Sequence, residues 1–177
     1  MTLSTSRSAS RIHQNSSQRI WIHNIGPELH YEGNLESIGV RRISDFLNDV
    51  TGTLRVANGT ITVGAQPTAH VQEAYVNVSE ILYVVPISEE YAGEGQSGMY
   101  VQKDQHQVIS AGSNWTIRGS IWLPPGAILE NFLGTIRKHF IPLSSAKVKI
   151  GDHSETDEQI LLLSTSAFGV LFPADGT

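Results

Sequence analysis

The segment YEGNLESIGVRRISDFLNDV (31–50) aligns without a gap on IRGSIWLPPGAILENFLGTI (117–136), 86 residues further along the same chain. Gly33 falls on Gly119, Leu35 on Ile121, Ile43 on Leu129, Phe46 on Phe132, Leu47 on Leu133 and Val50 on Ile136, with Gly26 on Gly112 upstream. Beyond Phe140 the offset becomes 87, and Val56, Ile61, Val63 and Gly64 fall on Leu143, Val148, Ile150 and Gly151. YVNVSEILYVVP (75–86) then lies over LLSTSAFGVLFP (162–173), Ser79 on Ser166 and Pro86 on Pro173, and the intervening stretches 65–72 and 152–159, expected as loops, have equal length. Apolar positions and Gly/Pro punctuation survive while identities do not, as expected of one structural unit present twice. This constrains the fold strongly, because whatever one half forms, the other half must form too.

Within a unit, RIWIHNI and HYEGNLESI alternate apolar and polar residues at period 2, the pattern of half-buried strands. Ile43, Phe46, Leu47 and Val50 then stand at i, i+3, i+4 and i+7, one face of a helix of about two turns. Ser44 or Asp45 is expected to cap it. So short a helix is not stable alone, so its stripe, Phe46 and Phe132 included, is expected to be buried against a core. TLRVANGTITVG resumes the alternation, with ANGT reading as a turn. EAYVNV and the nearly continuous apolar run EILYVVP complete the unit. The expectation is a mainly β protein of two tandem small bent-sheet or barrel units, each of about five strands and one short helix. The boundaries are a disordered tail at 1–17, unit one at 18–87, a polar linker or loop at 88–106, unit two at 107–173 and a short tail at 174–177.

The chain of 177 residues carries a net charge of −5, which disfavours nucleic acid as the default partner. That charge is unevenly placed: 18–87 and 88–106 each hold −3, whereas 107–173 is neutral with clustered bases. The absence of cysteine excludes disulfides, thiolate metal sites and cysteine nucleophiles, and suits a cytoplasmic protein. No apolar run is long enough to span a bilayer. The Ser- and Arg-rich start lacks the apolar core of a secretory signal and reads as a tail rather than a transit peptide. Asn58, Asn77 and Asn114 accordingly read as chance matches to the glycosylation triplet.

Motifs of catalysis are missing. The histidines at 13, 23, 30, 70, 106, 139 and 153 are scattered, with no H-E-x-x-H pattern, and read as surface residues. GEGQSG (93–98) lies in a polar stretch rather than between strand and helix. Asp152, Ser154, Thr156 and Glu158 alternate as in a calcium loop but lack the central Gly and the spaced Glu, so a solvated hairpin is expected. No cofactor and no metal site are expected.

Two polar groups remain as candidate binding residues. Arg41, Arg42, Ser44, Asp45 and Asn48 surround the first helix; Arg137 and Lys138 follow the second, and Lys147 and Lys149 share one face of the next strand. Their structural alternative is a cap, an i, i+3 ion pair and solvated charge.

LPPGAILENFLGTIRKHFIPLSSAKV (123–148) resembles a family of small bacterial domains with the pattern L-P-P-G-x-R-[LI]-S-D-x-L-N followed by F-[LI]-P-L. Unit two carries Leu123, Pro124, Pro125, Gly126, Phe140, Ile141, Pro142 and Leu143 of it; unit one carries Arg42, Ile43, Ser44, Asp45, Leu47 and Asn48. Unit two departs at Ile128, Glu130, Asn131 and Gly134. The resemblance implies no activity. The element order also resembles Sm-like and SH3-like barrels in architecture alone.

The residues therefore point to a non-enzymatic interaction or regulatory module that associates with a protein partner or with itself. The alternative is a small barrel binding a ligand or nucleic acid through the unit-two bases.

Overall fold

The structure is a computed structural model that describes residues 18–25, 29–36, 42–64, 66–87 and 102–174. The tail 1–17, Gly26, Arg41 and most of the 88–106 linker lie outside the described residues.

Unit one runs β1 (Gln18–Asn24), β2 (Leu29–Leu35), α1 (Ile43–Asp49), β3 (Thr53–Val63), β4 (Gln66–Asn77), a 3-10 turn (Val78–Glu80) and β5 (Ile81–Pro86). Unit two runs β6 (Asp104–Ala111), β7 (Trp115–Leu123), α2 (Leu129–Thr135), β8 (Phe140–Ile150), β9 (Thr156–Ser164), a 3-10 turn (Thr165–Ala167) and β10 (Val170–Pro173). The order is the same in both. All ten strands form one antiparallel sheet in the order β10-β6-β7-β8-β9-β5-β1-β2-β3-β4. Each half therefore has its fifth strand at one side, then its first, second and third, with its fourth at the other side.

The correspondence extends to irregular backbone. The β2–β3 register slips between Glu32 and Asn34, and the β7–β8 register slips at the matching place, between Arg118 and Ser120. Opposite these slips, Asn58 and Ser145, 87 residues apart, both take φ of 50°. An extra residue in one strand bends it and increases its twist, so each long third strand folds over its own core. ANGT is thus a bulge inside continuous β3 rather than a turn. The reversal comes at Gly64, with φ of 64°, matched by Gly151 at 55°. Strand β4 then begins at Gln66, so most of 65–72, expected as loop, is strand.

Pairing also adjusts the sequence alignment. Ile20 faces Gly33 and Val108 faces Gly119, so the first strands correspond at an offset of 88, and Gly112 matches Asn24 rather than Gly26. Between the matched pairs His23–His30 and Ala111–Thr116 the β1–β2 connection is two residues longer than the β6–β7 connection, a difference that the match of Gly26 to Gly112 concealed. Strand β6 starts at Asp104, inside the stretch expected as linker.

Helix α1 buries Ile43 and Leu47 completely, but Phe46 and Val50 are only half-buried at the edge of the core. Phe132 is likewise half-buried and packs at the edge of the unit-two core. The stripe leans on the core with its i and i+4 positions, and the aromatic ring fills the rim. Neither Ser44 nor Asp45 caps the helix: the N-cap is Arg42, whose side chain makes no capping hydrogen bond. The helix is held by packing rather than by its ends.

Two hydrophobic cores result, one per unit, and each takes side chains from the other unit. Phe140 and Leu162 of unit two lie in the unit-one core with Ile20, Ile22, Ile43, Leu47 and Val84. Leu82, Tyr83 and Val85 of unit one lie in the unit-two core with Ile117, Leu143 and Leu163. This exchange explains the continuous apolar runs ILYVV and ILLL. In β5 and β9 both faces are buried, and residues 83–85 and 161–163 alternate between the two cores, while Leu82 joins Tyr83 in the unit-two core.

Candidate functional site

Three features compete as the functional surface: the junction between units, a histidine-lined cleft beside it, and the basic residues. The junction is the most elaborately built. Strands β5 and β9 pair with Tyr83 opposite Leu163 and Val84 opposite Leu162. Asn48 reinforces the pairing from α1. Its Nδ2 donates to the Phe140 carbonyl at 3.1 Å, and the Phe140 N–H donates to Asn48 Oδ1 at 2.9 Å, while Nδ2 also donates to the Ser44 carbonyl at 2.7 Å. The amide thus serves both polar groups of one backbone residue, as an added strand partner would. Asn48, expected as a binding residue, is a latch between the two halves. Nothing in its local sequence distinguished the roles, because its partner lies 92 residues away.

Beside the junction is a cleft of about 280 Å³ lined by His23, His30, Gly64, Tyr83, Val148, Ile150, His153, Ser154 and Thr156. His23 stacks on Tyr83 with ring centroids 4.3 Å apart and planes 14° from parallel, and the His30 ring lies 4.0 Å away on centroids. Burial, aided by His30, pushes His23 down to about 3, so its imidazole is neutral at physiological pH, with a buried Nδ1 that has no hydrogen-bond partner among the described residues. Burial followed by the charge of Glu158 pushes the Tyr83 hydroxyl up. Three of the histidines that read as scattered, His23, His30 and His153, are therefore gathered. His23 and His30 face each other across the β1–β2 ladder, and the turn after β8 supplies His153. A signal existed for the first pair, since a hairpin over 20–35 places them opposite; for His153 there was none. Among the described residues, no group of three or more His, Asp or Glu has metal-binding geometry.

The basic residues do not form one patch. Arg137 and Lys138 are exposed immediately before β8, whereas Lys147 and Lys149 lie toward its far end. Lys147 is taken up by Glu155 at 3.4 Å and Asp157 at 3.6 Å, and these carboxylates hold its ammonium above the usual lysine range. On the first helix, Arg42 and Asp45 point to solvent and Ser44 is half-buried. A further exposed cluster, absent from the candidate residues above, joins Arg55 on β3 to Glu73 on β4 and to Glu36.

Comparison of the chain with protein-family models, with curated proteins and with solved structures finds no match. The functional reading therefore rests on geometry alone.

Proposed function

We propose that the chain is a non-enzymatic interaction module that associates with further copies of itself through the outer strands of its sheet. The observation that carries this reading is the state of those two strands. Among the described residues β4 pairs only with β3, and β10 only with β6. Open edges invite further pairing and are commonly blunted by charge, proline or a cover. Pro67 and Glu73 stand on β4 and Pro173 ends β10, but the stretches 74–76 and 170–172 carry neither charge nor proline, and there β10 exposes Val170 (49%) and Phe172 (39%) and β4 exposes Tyr75 (65%). Binding of nucleic acid through the unit-two bases is the weaker reading, since Lys147 already faces two carboxylates and the bases are divided along β8. The lack of cysteine suits a cytoplasmic setting, and no described helix is long and apolar enough to cross a membrane.

Sedimentation velocity over a hundredfold range of concentration tests this directly. Mass rising above that of one chain supports association, and a single monomeric species at every concentration contradicts it.

A further inference from the structure

The β9–β5 junction inside the chain joins the fourth strand of unit two to the fifth strand of unit one. The strands left at the two ends of the sheet are the fifth strand of unit two, β10, and the fourth strand of unit one, β4. Each free edge is thus the counterpart of one side of a junction that the molecule already makes. We infer that β10 of one copy pairs antiparallel with β4 of the next, repeating the internal junction head to tail. This rests on the self-association reading above and specifies its surface and register.

The side chains carry the inference further than the topology does. At the internal junction, Tyr83 and Val85 are buried in the neighbouring unit's core. Their counterparts 87 residues on are Val170 and Phe172, the apolar residues left exposed on β10. From the other side, Leu162 enters the neighbouring core, and its counterpart is Tyr75, the most exposed large apolar residue of β4. Three side chains without a core to enter thus stand at three of the five positions that the internal junction uses for core entry. Shifting the internal register by 87 residues places Val170 opposite Val76 of the next copy, and Leu171 opposite its Tyr75.

Other counterparts make this contact weaker than the internal one. Phe140 is replaced by exposed Thr53, Leu82 by Gly169 and the latch Asn48 by Gly134. The Thr53 N–H, the counterpart of the N–H held by Asn48, donates to the Thr51 carbonyl at 3.0 Å instead. The internal junction is built to be permanent and the external one to be reversible. Contact of this head-to-tail kind closes into a ring or grows as a filament, according to the rotation per copy.

Because the chain has no cysteine, single-cysteine variants test the register without background. Directly opposed residues of an antiparallel pair lie about 4.5–5.5 Å apart, within reach of a disulfide. Under mild oxidation, an equimolar mixture of Leu171→Cys and Tyr75→Cys chains is expected to give a cross-linked heterodimer several-fold faster than either variant alone gives a homodimer. Gly134→Asn is expected to tighten association several-fold by restoring the latch amide, since a Cβ at this position meets nothing within 4 Å among the described residues. Homodimers of one variant forming faster than the mixed species would show a symmetric edge contact and overturn the inference. Wild-type mass that rises with concentration while no cross-link forms would overturn it and leave self-association standing. A monomer at all concentrations would remove both.

Discussion

Phe140→Ala is expected to destabilise the whole chain by about 3–5 kcal/mol, with its first effect in the half to which Phe140 does not belong. The ring is fully buried (0% exposed) among Ile20, Ile43, Leu47 and Val84 of unit one, although its backbone opens β8 of unit two. Truncation removes the largest fully buried side chain and leaves a void beneath α1, a helix with no capping side chain and only seven residues. Since a domain of this size is stable by only about 5–15 kcal/mol, the loss is a large fraction of the total. Chemical denaturation followed by the fluorescence of the three tryptophans, Trp21 in unit one and Trp115 and Trp122 in unit two, measures it. A midpoint unchanged within error would mean that the two cores do not share the residue.

Acid is expected to destabilise the fold through His23, and the direction follows from its depressed pKa. In the unfolded chain the imidazole takes up a proton near pH 6.5, whereas in the folded protein it does so only at about 3. Between those values the unfolded state binds more protons, so stability is complete above about pH 6.5 and falls as the pH drops through this window. Each pH unit within it costs about 1.4 kcal/mol, on the order of 5 kcal/mol in all. Glu158 opposes part of the loss, since burial and then the charge of Asp157 hold its carboxyl above the usual range. His23→Phe keeps a ring against Tyr83 and removes the proton. Its stability is expected to vary less between pH 6.5 and 4 than that of the wild type, as urea titrations at each pH would show. Parallel pH curves would mean that His23 is protonated in the folded state.

Much of this architecture is legible in the chain because period and punctuation report local structure. The helix stripe at Ile43 and Leu47, the alternation of β1 and β2, and the two-faced run at 81–85 all become the elements they suggest. ANGT misleads because a bulge and a turn use the same positive-φ residue, and only the partner strand determines which is formed. The loop expected at 65–72 fails for a related reason, since exposed edge strands carry the polar residues of loops. Phe46 misleads because periodicity gives the buried face of a helix but not how far along it the core extends. The candidate surface was least legible. Asn48, His153 and Tyr75 acquire their roles from contacts or correspondences across the two halves, which no window of sequence contains. The repeat supplied the one route to them: where two copies share an apolar position and only one copy buries it, the exposed one marks an unfilled contact.

Residue-resolved hydrogen exchange at low and high protein concentration tests the account most directly. Amides within 74–76 and 170–172 that point away from β3 and β6 are expected to exchange freely in dilute solution and to slow as concentration rises. Amides of β5 and β9 should be protected equally at both concentrations, because their junction is internal. Exchange at 74–76 and 170–172 that is fast and independent of concentration would contradict the account.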